Sequence, residues 1–224
     1  MTEQKPKKPI LILSLDTETG GFNPSFNALL TVGIAFIKLS DCYDLSKIEK
    51  HEWKLSNSFI VVDKVPSKAQ VDVIPRYVEK QALEINKLNL YELETTGTYV
   101  EDLSKEFCAK LDEWNKEYRV HLLGQNLKFD LAFIRRNMPL LYSKLDNLTT
   151  HHELRTLTTA FNIARCKEDG VDVLEYGYQK STSMDNLRKA LGIESSGQTH
   201  SASVDAEDNI KAFITILNKF EGRL

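Results

Sequence analysis

The 224-residue sequence lacks the features that build a membrane protein, a disulfide-framed protein or a repeat protein. No apolar run approaches the roughly 20 residues that a membrane-spanning helix needs. The first nine residues are polar and lysine-bearing, without the apolar core of a signal peptide. Three cysteines, Cys42, Cys108 and Cys166, stand far apart and form no C-x-x-C pair. That excludes a disulfide frame or zinc knuckle and fits a reducing, cytoplasmic compartment. Nor is there an excess of positive charge: the net charge of −3 gives no broad basic field, which argues against a non-specific nucleic-acid binder. An enzyme that grips a few nucleotides at a metal site can do without one. No internal repeat, low-complexity block or linker is present.

What remains is an ordinary globular composition, 42% hydrophobic and 27% charged. The length suits one full-sized core, expected as a single domain over residues 10–221 behind a flexible tail, residues 1–9. Residues 10–15 form an almost wholly apolar run that reads as a strand buried on both faces, continuing to Thr19. Residues 28–39 read as a second apolar strand, close enough in sequence to pair antiparallel with the first. Residues 53–62 read as a third strand, and 66–76 as a loop with room for a helical turn. Helical spacing marks residues 78–88, 99–118, 128–137 (stopped at Met138-Pro139), 153–164, 184–191 (capped by Gly192) and 203–220. A short strand is expected at 120–123, and an irregular segment at 166–180. An antiparallel strand set followed by alternating helix and strand gives an α/β layered fold with a mixed sheet.

The chemistry starts at the end of the first strand, where Asp16 and Glu18 are followed at once by Gly20 and Gly21. Side chains alternate along a strand, so the two carboxylates share one side, roughly 6.5–7 Å apart at the backbone. Two such charges about 5 Å apart at an effective dielectric near 20 repel by roughly 3 kcal/mol. At the edge of a core they need a cation between them, or one must be protonated. Asn126 and Asp130 lie where a strand turns into a helix, Asn126 placed to cap and Asp130 in a first turn that favours a carboxylate. A helix-start acid with no other role reads equally well there. Asp205 falls in the first turn of the last helix among small residues, which leaves room for a metal and a substrate, and His200 precedes it in a loop. The other histidines, His51, His121, His151 and His152, have no acidic partner pattern and read as surface residues.

These three patterns, in this order, resemble the DnaQ-like 3′–5′ exonucleases, the histidine-bearing (DEDDh) branch of the DEDD superfamily. The D-x-E-T-x-G motif is matched by Asp16, Glu18, Thr19 and Gly21; N-x-x-F-D by Asn126, Phe129 and Asp130; and H-x-A-x-x-D-A by His200, Ala202, Asp205 and Ala206. The resemblance spans residues 11 to about 217. It implies a ribonuclease H-like fold: a mixed five-stranded sheet with helices on both faces. One departure is that Arg155-Thr156 stands where many relatives carry an Asp-Thr pair, which touches local packing rather than the catalytic set.

The resemblance implies that Asp16 bridges two divalent cations, Mg²⁺ or Mn²⁺. Glu18 and Asp205 complete the site that activates water, Asp130 supports the second ion, and His200 acts as general base. Phosphodiester hydrolysis suits such a pair about 4 Å apart, and a histidine pKa near 6.5 suits the proton transfer. Substrate contacts are expected from the backbone around Thr17, Thr19 and Gly20, and from Phe22, which is similar in position to a base-stacking aromatic of ribonuclease T in this family. A loop anchor on the core is an equal reading for Phe22. Asn86 stands in a stretch similar to the one that abuts the terminal sugar. Lys128, Arg135 and Arg136 are candidate phosphate contacts, although helix-surface solvation accounts for them equally.

The expected activity is therefore a metal-dependent 3′–5′ exonuclease on single-stranded 3′ ends, DNA ahead of RNA, releasing nucleoside 5′-monophosphates. The competing readings are a 3′–5′ exoribonuclease, a non-catalytic nucleic-acid-binding module, and a phosphatase acting on small nucleotides. No polymerase domain and no clamp-binding or tether segment is evident. A homodimer or a polymerase partner is left open, and no membrane is involved.

Overall fold

The computed structural model describes residues 7–66, 69, 71–168, 182–194 and 201–221. Its organising sheet has the strand order β3-β2-β1-β6-β7. The strands are β1 (Ile10–Thr19), β2 (Leu29–Lys38), β3 (Glu49–Lys54), β6 (Arg119–Gly124) and β7 (His151–Glu153). β1 pairs antiparallel with β2 and β2 with β3, whereas β6 runs parallel to β1 and β7 parallel to β6. A separate parallel pair joins β4 (Ile60–Val62) to β5 (Tyr77–Glu79). The helices are α1 (Lys80–Asn86), α2 (Leu90–Thr96), α3 (Val100–Glu117), α4 (Leu127–Asn137), α5 (Pro139–Asp146), α6 (Leu154–Glu168), α7 (Met184–Leu191) and α8 (Ala202–Phe220). This is the mixed five-stranded α/β architecture of the ribonuclease H-like class.

Strand periodicity divides the core. Leu11, Leu13 and Leu15 of β1 pack on one face with Leu103, Phe107 and Leu111 of α3, Phe133 and Ile134 of α4, and Leu141 and Leu145 of α5. Ile12 points to the other face and joins Phe161 of α6, Leu187 of α7, and Ile210, Phe213 and Ile214 of α8. β1 is thus covered on both sides, as its unbroken apolar run requires. The even-numbered positions carry Asp16 and Glu18 toward the α8 face, while Thr17 turns toward α4.

Several elements differ from the sequence expectation. Residues 53–62 are not one strand: β3 ends at Lys54 and β4 begins at Ile60 in the other sheet. Between them Ser56 is engaged with the α2 end, its N–H donating to the Thr98 carbonyl and its hydroxyl to that of Glu94. The helix expected to stop at Met138-Pro139 does end at Asn137, but Pro139 then opens a helix that was not expected, α5, where its missing N–H costs nothing and its fixed φ suits a first turn. The start of the expected helix at 153 belongs instead to β7, whose three residues follow too few alternations to announce a strand. α6 also runs on to Glu168, through the start of the segment expected to be irregular; residues 169–180 lie outside the described residues.

One glycine decides how the α8 layer sits on the sheet. Gly33, in the middle of β2, pairs with Asp16 of β1 on one side and Glu52 of β3 on the other. A Cβ at Gly33 would lie 2.1 Å from the Ala202 carbonyl carbon and 2.2 Å from the Ser203 nitrogen, so the first turn of α8 rests directly on bare β2 backbone. A glycine inside a strand often marks such an approach. Because the obstructing atoms are backbone, Gly33→Ala must push α8 outward. We expect a loss of about 1–3 kcal/mol in urea unfolding, the usual range for overpacking a tight site. An unchanged midpoint would contradict this packing.

Candidate active site

Asp16 and Glu18 occupy the last turns of pleat in β1, opposite Gly33 and Thr31. A register shift between Glu18 and Thr19 bends the strand where the acids emerge. Asp205, in the first turn of α8, arrives from the layer seated on Gly33. One carboxylate oxygen from each of Asp16, Glu18 and Asp205 can be chosen so that all three lie within 4.8 Å of one another, each side chain being partly buried. Three hard, anionic oxygen donors converging at that spacing fit a divalent cation of the Mg²⁺ or Mn²⁺ kind.

Asp130 stands behind this triad rather than in it. It is 3% exposed, and its Oδ1 accepts a 2.7 Å hydrogen bond from the Thr17 hydroxyl. The alternation along β1 thus lets adjacent residues serve both sides: Asp16 faces α8, and Thr17 holds the acid carried by α4. Asn126 departs from the expected capping role. Its backbone lies in the left-handed region at φ 65°, a conformation asparagine tolerates, and its side chain caps nothing. The cap comes from Glu153 at the end of β7, whose oxygens accept from the N–H groups of Asn126 (2.8 Å) and Leu127 (2.9 Å). Glu153 was invisible as a site residue in the sequence, because the bonds span a separate strand.

The acids raise one another's affinity for protons. Burial first, then the charges of Asp130, Asp205, Glu18 and Glu52, hold the Asp16 carboxyl well above its ordinary range. Burial, Asp205, Glu52 and Asp130 push Glu18 up to about 8. Asp130 is pushed to about 7 by burial, with the Thr17 hydroxyl and backbone N–H bonds acting in the opposite direction. Such a site attracts a proton or a cation.

Beside the acids lies a cavity of about 230 Å³ lined by Thr17, Glu18, Thr19, Gly21, Phe22, Asn86 and Phe129, among others. Phe22 is 81% exposed and touches Phe129 edge-on at 6.3 Å between ring centres. It is therefore not sunk into the core. Asn86 is 5% exposed, its amide reaching the Thr19 carbonyl at 3.4 Å and its oxygen accepting from Leu88 N–H. Thr19 donates its hydroxyl to the Gly21 carbonyl. Gly20 makes its close approach to β5, where a Cβ would lie 2.5 Å from the Tyr77 carbonyl oxygen.

Lys128 and Arg135 are exposed, Arg135 lying over the Tyr142 ring, and Arg136 donates to the Asp72 carbonyl. His200 lies outside the described residues. Two other histidines correct the surface reading: His121 is 7% exposed and faces His152 at 3.1 Å, across the β6–β7 pair. Burial and mutual repulsion lower the pKa of His121, and burial lowers that of His152.

No protein-family model and no curated protein matches the sequence. Among solved structures, the chain is similar to a zinc-bound complex of E. coli exonuclease I with single-stranded DNA. That match has 19% identity and a TM-score of 0.65 over 96% of this chain and 42% of that one. A product-bound exonuclease I structure matches at 17% identity and a TM-score of 0.63, over 96% and 45% of the two chains. The cell-death related nuclease CRN-4 matches at 12% identity and a TM-score of 0.62, covering 93% of this chain and 64% of that one. The chain spans less than half the length of the exonuclease I chains. At these identities the likeness establishes the fold.

The raised carboxyl pKa values predict how metal-free stability varies with pH. Between the ordinary carboxylate range and about 8, the folded protein holds protons that the unfolded chain has released. Stability in chelator therefore falls as pH rises through this window. Thermal unfolding from about pH 5 to about pH 8 should show that fall, and Glu18→Gln should flatten it. Added Mn²⁺ should stabilise wild-type protein more at the upper end. A wild-type slope no steeper than that of Glu18→Gln would contradict the assignment.

Proposed function

We propose that this chain is a metal-dependent 3′–5′ exonuclease acting on single-stranded nucleic-acid ends, with DNA preferred to RNA. Its catalytic unit is one DnaQ-like domain over residues 10–221. The observation that carries this reading is the convergence of Asp16, Glu18 and Asp205 oxygens within 4.8 Å, with buried Asp130 at their back. The E. coli exonuclease I structures similar to this chain include complexes with single-stranded DNA, dA16 and dT13, which supports the choice of polymer.

Asp16, Glu18 and Asp205 would hold the divalent cations, and Asp130, steadied by Thr17, would complete the charge around them. When bound, two Mg²⁺ or Mn²⁺ ions supply a hydroxide at neutral pH and charge stabilisation of the departing oxygen. His200 takes the proton from the attacking water. A bond forms from that water oxygen to phosphorus as the bond from phosphorus to the penultimate O3′ breaks, and the leaving oxygen collects a proton from solvent. The product is a nucleoside 5′-monophosphate. The cavity beside Glu18 takes the terminal nucleotide, with the exposed ring of Phe22 as a stacking surface and Thr19 and Asn86 along its wall.

The test is a time course on 3′- and 5′-labelled single-stranded DNA and RNA of one sequence, with Mg²⁺, Mn²⁺ or chelator. We expect stepwise mononucleotide release from the 3′ end, faster on DNA and stopped by chelator. Asp16→Asn should lose more than the roughly 10–100-fold typical of removing an outer partner of a metal site. Faster hydrolysis of RNA would assign the protein to RNA end processing. No hydrolysis of either polymer under any metal would overturn the enzymatic reading in favour of a binding module.

A further inference from the structure

The sheet places a fifth carboxylate beside the site that none of the three motifs contains. Glu52 of β3 and Asp16 of β1 both pair with Gly33, so their side chains lie on one face of the sheet with the bare glycine between them. The first turn of α8 fills that gap. Glu52 Oε1 accepts the Ser203 N–H at 3.2 Å and the Ser201 hydroxyl at 3.1 Å. Ser201 precedes α8 but makes no side-chain cap to its own helix. A glutamate about 150 residues earlier thus does the work usually done by a local hydroxyl or carboxylate.

Glu52 adds to the negative field that opposes ionisation of Asp16 and Glu18. A neutral residue would relieve that repulsion, so the carboxylate needs a compensating role, and its two bonds to the α8 entry provide one. Ser203 lies two residues before Asp205, whose own N–H is already committed to the Ser201 carbonyl at 2.9 Å. The turn that carries the acid is therefore fixed at its first donors from the sheet.

We propose that Glu52 is a positioning residue: its carboxylate clamps the first turn of α8 and so sets Asp205 against the cation held by Asp16 and Glu18. This rests on the metal-site reading given above. A purely structural clamp would lower the stability of the metal-free protein and leave the metal affinity of the folded protein unchanged. A positioning clamp moves the affinity itself.

The experiment is Mn²⁺ titration of the full chain by calorimetry, paired with kinetics on a labelled oligonucleotide, for wild type, Glu52→Ala, Glu52→Gln and Ser201→Ala. Glu52→Ala should weaken Mn²⁺ binding by roughly tenfold or more and lower kcat at a fixed subsaturating Mn²⁺ concentration, with KM for the oligonucleotide unchanged. Glu52→Gln keeps an acceptor oxygen in place and should restore binding close to the wild-type value. Ser201→Ala removes one of the two bonds from the helix side and should give a smaller loss, which keeps the test decisive if Glu52→Ala fails to fold. Wild-type Mn²⁺ affinity in Ser201→Ala and in whichever Glu52 variants fold would overturn the clamp. Equal losses in Glu52→Ala and Glu52→Gln would overturn it too, since they would assign the effect to charge. Absence of Mn²⁺ binding by the wild-type protein would instead overturn the metal reading on which the proposal rests.

Discussion

The seating of α8 on the bare backbone of Gly33 is the constraint on which the candidate site depends. A helix normally packs against a sheet through its side chains, which keeps the two backbones well apart. Here the Ala202–Ser203 peptide occupies the place of the missing Cβ, and that contact brings a helix-borne acid to the end of a strand carrying two more. The neighbours in register on either side of the glycine are Asp16, which belongs to the acid cluster, and Glu52, which binds the helix entry. Packing and chemistry therefore share three adjacent positions across three strands.

Gathering these acids opposes folding in the absence of a counter-charge. Burial and mutual repulsion push Glu18 to about 8, so a proton is retained at a pH where an ordinary carboxyl has lost it. The fold tolerates this because both helices bearing acids are anchored elsewhere. α4 is capped by Glu153 and packed through Phe133 and Ile134, and α8 is buried along most of its length. The buried Arg188–Asp208 ion pair ties α7 to α8, at 2.5 Å. Repulsion concentrated at one end of a well-packed sheet is a reason for a cation to bind there.

Much of this was legible along the chain. The apolar run before Asp16 announced a doubly covered strand, and the spacing of Asp16 and Glu18 put them on one side of it. The first turns holding Asp130 and Asp205 were read in the right places, although the cap expected from Asn126 is supplied by Glu153. What escaped was the pairing between distant segments. Glu52 sits in a half-exposed strand, and nothing local ties it to Ser201 and Ser203. Glu153 occupies a strand of three residues, too short for alternation to show. His121 and His152 look like solvent-facing histidines until β6 and β7 are laid side by side. Pro139 marked the end of α4 correctly, but nothing local showed that it also opens α5, because a proline ends one helix as readily as it begins the next. Gly33 did carry a signal, a glycine interrupting an otherwise apolar strand, whose meaning required knowing which backbone approached it.

The central claim is that Asp16, Glu18 and Asp205 form a binding site for divalent metal. It is tested most directly by diffraction from crystals grown with Mn²⁺, using the anomalous signal of the metal to locate it. The account predicts a strong peak between the three carboxylates, with Glu52 still bonded to the entry of α8. Crystals saturated with Mn²⁺ that show no peak there, or show it only at the His121–His152 pair, would contradict it.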